Sequence, residues 1–108
     1  MTRVVSRPAP GYFSIDTGYK AIAADPEGLR GQLLGVEHCE EMFQSEEHWT
    51  YRMLPGYEGE CPAVGDILFV VPTHICPTTA LYDSVIVIEN GQVVDTWEVT
   101  ARNRKIIY

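Results

Sequence analysis

A chain of 108 residues, 45% apolar and 21% charged, has the size and composition of one soluble globular domain, which excludes a second large fold, global disorder and a fibrous repeat. Fifteen acidic residues against eight basic ones give a formal charge of -7, the wrong sign for neutralising a phosphate backbone or an anionic membrane. Neither nucleic acid nor a membrane is an expected partner. The longest apolar run, Ile67 to Pro72, falls far short of the about 20 residues that span a bilayer, and Met1 to Pro10 lacks an apolar signal segment, so a cytoplasmic location is expected. Cys39, Cys61 and Cys76 then read as free thiols or metal ligands rather than a disulfide framework, and their odd number leaves at least one without an intrachain partner.

Gly and Pro punctuate the chain at short spacing. Val4-Val5 and Tyr12 to Asp16 read as two brief extended segments joined by the Pro8–Gly11 turn, and Ala24 to Gly31, with Pro26 and Gly28, reads as a loop. Gln32 to His38 is the next predicted strand. Glu46 to Leu54 alternates imperfectly, with Trp49, Tyr51 and Met53 on the side that should face the core. Leu54 to Pro62 is turn-rich, and Gly65-Asp66 leads into Ile67 to Val71, a β-branched and aromatic run of the kind buried on both faces. Ser84–Ile88 and Val93–Val99 flank Asn90-Gly91, a dipeptide suited to the positive φ angles of a type I′ hairpin turn. A helical turn is expected only within Pro77 to Tyr82. The fold class is therefore all-β: a small barrel or sandwich of about seven short strands, with Phe13, Trp49, Tyr51, Phe69 and Trp97 assigned to its packing.

His74 and Cys76 stand two apart where the apolar strand ends, between Pro72 and Pro77. On an extended segment, such residues point to one face and could reach the same ion. Imidazole and thiolate suit zinc, whereas magnesium or calcium would want oxygen ligands. The triplet alone leaves two readings open, metal ligands or ordinary core residues. His38, Cys39, His48 and Cys61 could complete a closed structural site, although no Cys-x-x-Cys or His-x-x-x-His pair joins them. Glu37, Glu40, Glu41, Glu46 and Glu47 read as a solvated acidic face rather than a carboxylate metal site.

The run Pro72-Thr73-His74-Ile75-Cys76-Pro77-Thr78-Thr79-Ala80-Leu81-Tyr82-Asp83 resembles the metal-binding signature in the C-terminal domain of the D-serine dehydratase and D-threonine aldolase family. Val4–Pro8, Asp16-Thr17-Gly18-Tyr19-Lys20-Ala21, Ser45–His48, Val64–Asp66 and Asn90–Arg102 extend the resemblance over nearly the whole chain in order. It implies that residues 1–108 form a β domain of a pyridoxal-phosphate lyase whose alanine-racemase-like barrel lies outside this sequence. It implies also that His74 and Cys76 hold zinc or another divalent metal against the β-hydroxyl of a D-amino acid, with Cys76 pointing to the dehydratase-like branch. His48 is a candidate to support a metal ligand from behind or to contact the substrate.

A barrel of that kind needs roughly 250 residues, and neither Lys20 nor Lys105 sits in a motif that would replace its cofactor lysine. Pyridoxal phosphate is thus expected only through an absent or separate barrel domain, and the chain alone should not be active. The rival expectation is a non-catalytic zinc-binding or interaction module that keeps the fold. Expected partners are a barrel domain in trans or a second copy, through apolar residues left without a cover, with Tyr12, Phe13, Tyr19, Ile75 and Leu81 as candidates.

Overall fold

The short Gly- and Pro-bounded segments become eight strands in the computed structural model, which describes residues 1–25 and 27–107. Strands β1 (Thr2–Ser6), β2 (Tyr12–Ile15), β3 (Gly31–Leu34), β4 (Cys39–Gln44), β5 (Trp49–Met53) and β6 (Ile67–Pro72) form an antiparallel sheet in the order β3-β6-β1-β2-β5-β4, curled into a half-barrel. Strands β7 (Ser84–Glu89) and β8 (Gln92–Glu98) pair with each other in a second, two-stranded sheet. One short helix, α1 (Ile75–Thr79), follows β6, and single 3₁₀ turns occupy Glu58–Glu60 and Thr100–Arg102. The fold is all-β, as the spacing of the turn residues implied.

The core fills the curl of the six-stranded sheet with Val4, Phe13, Ile15, Ile22, Trp49, Tyr51, Met53, Cys61 and Leu68. Phe13 and Tyr51 are cross-strand partners of β2 and β5 and stack with ring centroids 5.5 Å apart, while Trp49 lies 5.2 Å from Tyr51. The aromatic side of the 46–54 segment therefore faces inward, as its alternation indicated. The strand itself begins only at Trp49, because Ser45–His48 forms a turn closed by the Ser45 N–H donating to the His48 carbonyl at 2.8 Å. On the same two strands the Ser14 and Thr50 hydroxyls satisfy each other at 2.9 Å, so two buried polar groups carry no unpaired desolvation cost.

Several local expectations need correction. β6 is buried on one face, not both: Leu68 turns inward, while Ile67, Phe69 and Val71 on the other side are exposed. A run of consecutive β-branched and aromatic residues looks the same whether its second face is covered or left bare. For the same reason Phe69 and Trp97, 52% and 60% exposed, do not belong to the core. β4 was not anticipated, because its Glu-rich sequence lacks an apolar alternation. It is an edge strand, held to β5 by its ladder and by the Glu40–Arg52 ion pair, and acidic side chains on such an edge discourage pairing with other chains.

The predicted strand from Gln32 to His38 ends at Leu34, because Gly35 turns to φ +85° and His38 to φ +55°. The Ala24–Gly31 loop gives way to β3 at Gly31, and Pro26 within it lies outside the described residues. The hairpin turn is as expected, with Asn90 and Gly91 at φ +49° and +76°. The helical turn starts two residues earlier than expected, and so includes Cys76 rather than following it. Pro77 is tolerated there because a first-turn N–H would lack an intrahelical partner anyway.

Among the described residues, the Tyr51 hydroxyl and the Trp49 indole N–H are buried without a hydrogen-bond partner. Burial, together with Glu41 and Cys39, pushes the Tyr51 phenol far above its ordinary range, so it stays neutral. An unsatisfied buried hydroxyl is a desolvation cost without return. Tyr51→Phe should therefore raise stability by about 1 kcal/mol, read as a higher urea midpoint at unchanged slope. A lower midpoint would mean that the hydroxyl is in fact satisfied.

Candidate metal centre

At the end of β6 the chain is pinned before it turns. The Thr73 N–H donates to the Arg30 carbonyl at 2.8 Å, and its hydroxyl to the Leu29 carbonyl at 2.6 Å, fixing the strand's exit against the loop that precedes β3. His74 follows in extended conformation (φ −128°, ψ 104°) as the N-cap of α1, and Cys76 lies on the helix. The extended segment on which the same-face argument rested therefore stops at His74. The two residues share the mouth of one helix through their adjacency in the chain, and strand alternation does not set their side chains on a common face.

Thr78 secures that helix from both sides. Its hydroxyl donates to the His74 carbonyl at 2.8 Å and accepts from the Ala23 N–H at 3.1 Å. Tyr82, just beyond α1, donates its hydroxyl to the Ala21 carbonyl at 2.7 Å. The segment carrying Ala21 and Ala23 is anchored in turn: Tyr19 N–H and Lys20 N–H donate to the Ser45 and Glu46 carbonyls at 2.9 and 3.1 Å. Gly18 makes this approach possible, because a Cβ there would sit 2.2 Å from the Glu46 carbonyl oxygen. Arg30 stacks its guanidinium on Tyr19 at 4.1 Å and donates to the Gln44 side chain at 2.9 Å. Sequence stretches around residues 16–21, 45–48 and 72–83, far apart in the chain, thus form one support for α1.

His74 Nδ1 faces Asp25 Oδ2 at 3.7 Å. At that separation the two groups are not hydrogen-bonded, so the carboxylate lies near the ring without fixing its orientation. Sequence reasoning missed Asp25: its position 49 residues upstream in a loop carries no periodic or motif signal, and only the tertiary fold brings it to His74. Cys76 is exposed and opens on a recess that Arg102 and Arg104 also line. Behind α1 a cavity of about 430 Å³ extends between Asp16, Ile22 and Val70 of the half-barrel and Thr78 and Tyr82. Asp16 borders it as a carboxylate: burial pushes its pKa up, but hydrogen bonds from the Thr2 hydroxyl and the Arg3 N–H outweigh this and hold it below the usual value.

The other candidates lie elsewhere in role. His48 is exposed in the β4–β5 turn, where its backbone closes the turn on Ser45. Cys39 directs its thiol to the Val36 carbonyl, and burial, with Cys61 nearby, pushes that thiol up. Cys61 is a core residue. His38 stacks on Tyr57 at 3.8 Å and faces Glu60 at 3.3 Å. Among the described residues, no group of three or more His, Cys, Asp and Glu side chains is arranged to hold an ion, so His38, Cys39, His48 and Cys61 do not assemble into a closed site. All three cysteines are free thiols. Lys20 lies on the surface paired with Glu46 and Glu47, which raise its pKa.

An all-β half-barrel carrying a His-x-Cys pair at the mouth of a short helix defines a small β domain with an open site. The family model described as "Putative serine dehydratase domain" matches residues 1–88, and the chain belongs to that family. It is 34% identical over 104 residues to a D-threonine aldolase of Arthrobacter sp. and 31% identical over 104 residues to a 3-hydroxy-D-aspartate aldolase of Paracoccus denitrificans. These matches cover 94% and 96% of this chain but only 26% and 25% of those enzymes, so the chain spans about a quarter of their length. An uncharacterised protein of Mycobacterium tuberculosis is 32% identical over 92 residues, which are 83% of this chain and 68% of that protein. In three dimensions, the chain is similar to the D-threonine aldolase of Filomicrobium marinum, with a TM-score of 0.81 and 26% identity over 94% of this chain and 27% of that one. A D-threo-3-hydroxyaspartate dehydratase solved in a metal-free form shares the fold, with a TM-score of 0.72 at 19% identity over 90% of this chain and 30% of that one.

Proposed function

We propose that this chain is the metal-holding β domain of a lyase acting on β-hydroxy D-amino acids, with His74 and Cys76 as metal ligands. The observation that carries the reading is the placement of these two residues at the mouth of α1, with Asp25 against His74 Nδ1. The relatives' names support the substrate class, because D-threonine and the 3-hydroxyaspartates all carry a hydroxyl on the β carbon.

The residues fit a zinc ion. One imidazole nitrogen and one thiolate are borderline donors of the kind zinc prefers, and both side chains are accessible. Two ligands from this chain leave coordination positions for water, substrate or a group from other polypeptide. Bound there, zinc supplies a Lewis acid to the β-oxygen of the substrate. Thr78 holds the His74 backbone, and the short helix fixes the Cys76 backbone relative to it.

Pyridoxal phosphate does not fit this chain. A Schiff-base lysine is activated by a lowered pKa, and Glu46 and Glu47 act on Lys20 in the opposite sense. Lys105 is exposed in the 103–107 segment. A barrel domain contributed by other polypeptide is the proposed source of that cofactor, and the cytoplasm, where thiols stay reduced, is the proposed setting. Coverage of 68% of the mycobacterial relative favours a second reading, a small module that keeps the fold and the ligand pair without catalysis.

Metal analysis of the wild type against the His74→Ala, Cys76→Ala double variant tests the site. Zinc should be retained weakly by the first and lost from the second, with circular dichroism showing that both are folded. Equal zinc contents would overturn the assignment. With pyridoxal phosphate and zinc added, the chain alone should release no pyruvate from D-serine and no glycine from D-threonine; turnover would show that no separate barrel is needed.

A further inference from the structure

Asp16 begins the Asp16–Ala21 stretch, and the proposed metal site makes no use of its carboxylate. The Thr2 hydroxyl and the Arg3 N–H both donate to Oδ1, at 2.7 and 2.9 Å, while no side chain or N–H among the described residues donates to Oδ2. Nor does any ammonium or guanidinium among them pair with it, so the Arg3 charge acts only through space. Asp16 therefore carries a negative charge without an ion pair at the border of the cavity of about 430 Å³ behind α1.

Most side chains around that cavity are apolar or already committed as donors. Ile22, Val70, Pro72, Ile75 and Val85 form its apolar wall. Ile75 is one of the residues expected to lie uncovered; with Tyr19 and Leu81 it is exposed, whereas Tyr12 is half-buried and Phe13 lies in the core. Thr78, Thr79 and Tyr82 donate their hydroxyls to the His74, Ile75 and Ala21 carbonyls, at 2.8, 2.9 and 2.7 Å. Burial, and after it the Asp16 charge, raises the Tyr82 phenol, as a carboxylate and a phenol bordering one space would have it. A guest must then bring N–H donors and a positive charge at one end and an alkyl body at the other.

We propose that this cavity binds a primary alkylammonium ion, with its N–H groups on Asp16 Oδ2 and its alkyl chain along Ile22, Val70 and Val85. The volume lies within the range of about 300–1,000 Å³ usual for small-ligand sites. A carboxylate on the guest would be repelled by Asp16, so an amine fits better than an amino acid. The site is thus separate from the place of the proposed lyase substrate, and it does not depend on metal binding. A free amine and a lysine side chain of other polypeptide both carry the group it takes.

Titration of the 108-residue chain with pentylammonium chloride, followed by NMR, tests the proposal. About six non-hydrogen atoms should give a dissociation constant in the millimolar range. Binding should saturate at one site, with nuclear Overhauser contacts from the alkyl chain to the Ile22, Val70 and Val85 methyls. 1-Pentanol should bind at least tenfold more weakly, and pentanoate should not bind. Asp16→Asn keeps an oxygen for Thr2 and Arg3 but removes the charge, and should lower pentylammonium affinity at least tenfold without changing that of 1-pentanol. Nα-acetyl-lysine methylamide distinguishes the sources: affinity equal to that of pentylammonium assigns the site to a lysine side chain, and failure to bind assigns it to a free amine. Equal affinities for the ammonium and the alcohol, an unaffected Asp16→Asn variant, or ammonium spread over the acidic surface without contacts to those methyls would each overturn the proposal. The ligand series and the methyl contacts are read on the unaltered protein, and so decide the matter even if the variant does not fold.

Discussion

Gly18→Ala should destabilise the chain by about 3 kcal/mol, the upper end of overpacking costs. The added Cβ would lie 2.2 Å from the Glu46 carbonyl oxygen, 2.4 Å from its carbon and 2.5 Å from the Glu47 carbonyl carbon. All three atoms are backbone, so no side-chain rotation relieves the clash. The Tyr19 and Lys20 N–H bonds to the β4–β5 turn must lengthen, and the Ala21 and Ala23 contacts that hold α1 shift with them. Urea unfolding reads the stability loss, and zinc titration should show weakened binding even under conditions where the variant is folded. Gly59→Ala is the control, because its Cβ would meet nothing within 4 Å. If Gly18→Ala behaved like Gly59→Ala, the close approach of these segments would be wrong.

Trp49→Ala should cost about 3–5 kcal/mol, as removal of a large buried aromatic does. Trp49 is 1% exposed and packs beside Tyr51 at the centre of the half-barrel, so its loss opens a cavity that the strands cannot collapse into without breaking register. Small domains hold a total of only about 5–15 kcal/mol, and most of this one's core residues belong to the six-stranded sheet. The variant should be largely unfolded at 37 °C. Trp49→Phe separates volume from polarity: it keeps an aromatic ring and removes an indole N–H that has no partner, so its cost should be well below half that of the alanine variant. Thermal unfolding followed by far-UV circular dichroism compares the two. Equal losses would mean that the indole, not the filled volume, is what the core requires.

The proposed metal site and the packing of the fold meet at α1, which no single stretch of sequence describes. Its helix is five residues long and has no charged side chain to favour either end. Isolated helices of that length do not persist in water. It exists because Thr78 and Tyr82 reach partners more than 50 residues away in sequence. His74 and Cys76 are therefore only as well placed as the 16–23 segment that supports α1, which is why a glycine remote from the proposed metal site should influence binding.

Local chemistry was legible wherever one residue type has one dominant conformation. Asn90-Gly91 specified its hairpin because few dipeptides accept two successive positive φ angles. The Trp49, Tyr51 and Met53 alternation specified an inward face because the period of a strand is two. Proline and glycine spacing specified short strands, and with them an all-β class. The His-x-Cys pair and the motifs around it were equally visible, since they are identities rather than arrangements.

The tertiary structure alone decided what depends on neighbours. Whether Ile67, Phe69 and Val71 are covered depends on a layer opposite β6, and a β-branched run carries no record of that layer. The Glu-rich β4 is a strand because β5 offers it a ladder, a pairing that propensity opposes. Asp25 reaches His74, and Gly18 the carbonyl of Glu46, across chain separations at which sequence pattern conveys nothing. The sequence by itself determined the class of fold and the hairpin, and it supplied the candidate ligand pair, because backbone preference and side-chain chemistry are properties of single residues and near neighbours. Burial, helix support and the approach of Asp25 to His74 are properties of surfaces brought together by folding, and only the folded chain could decide them.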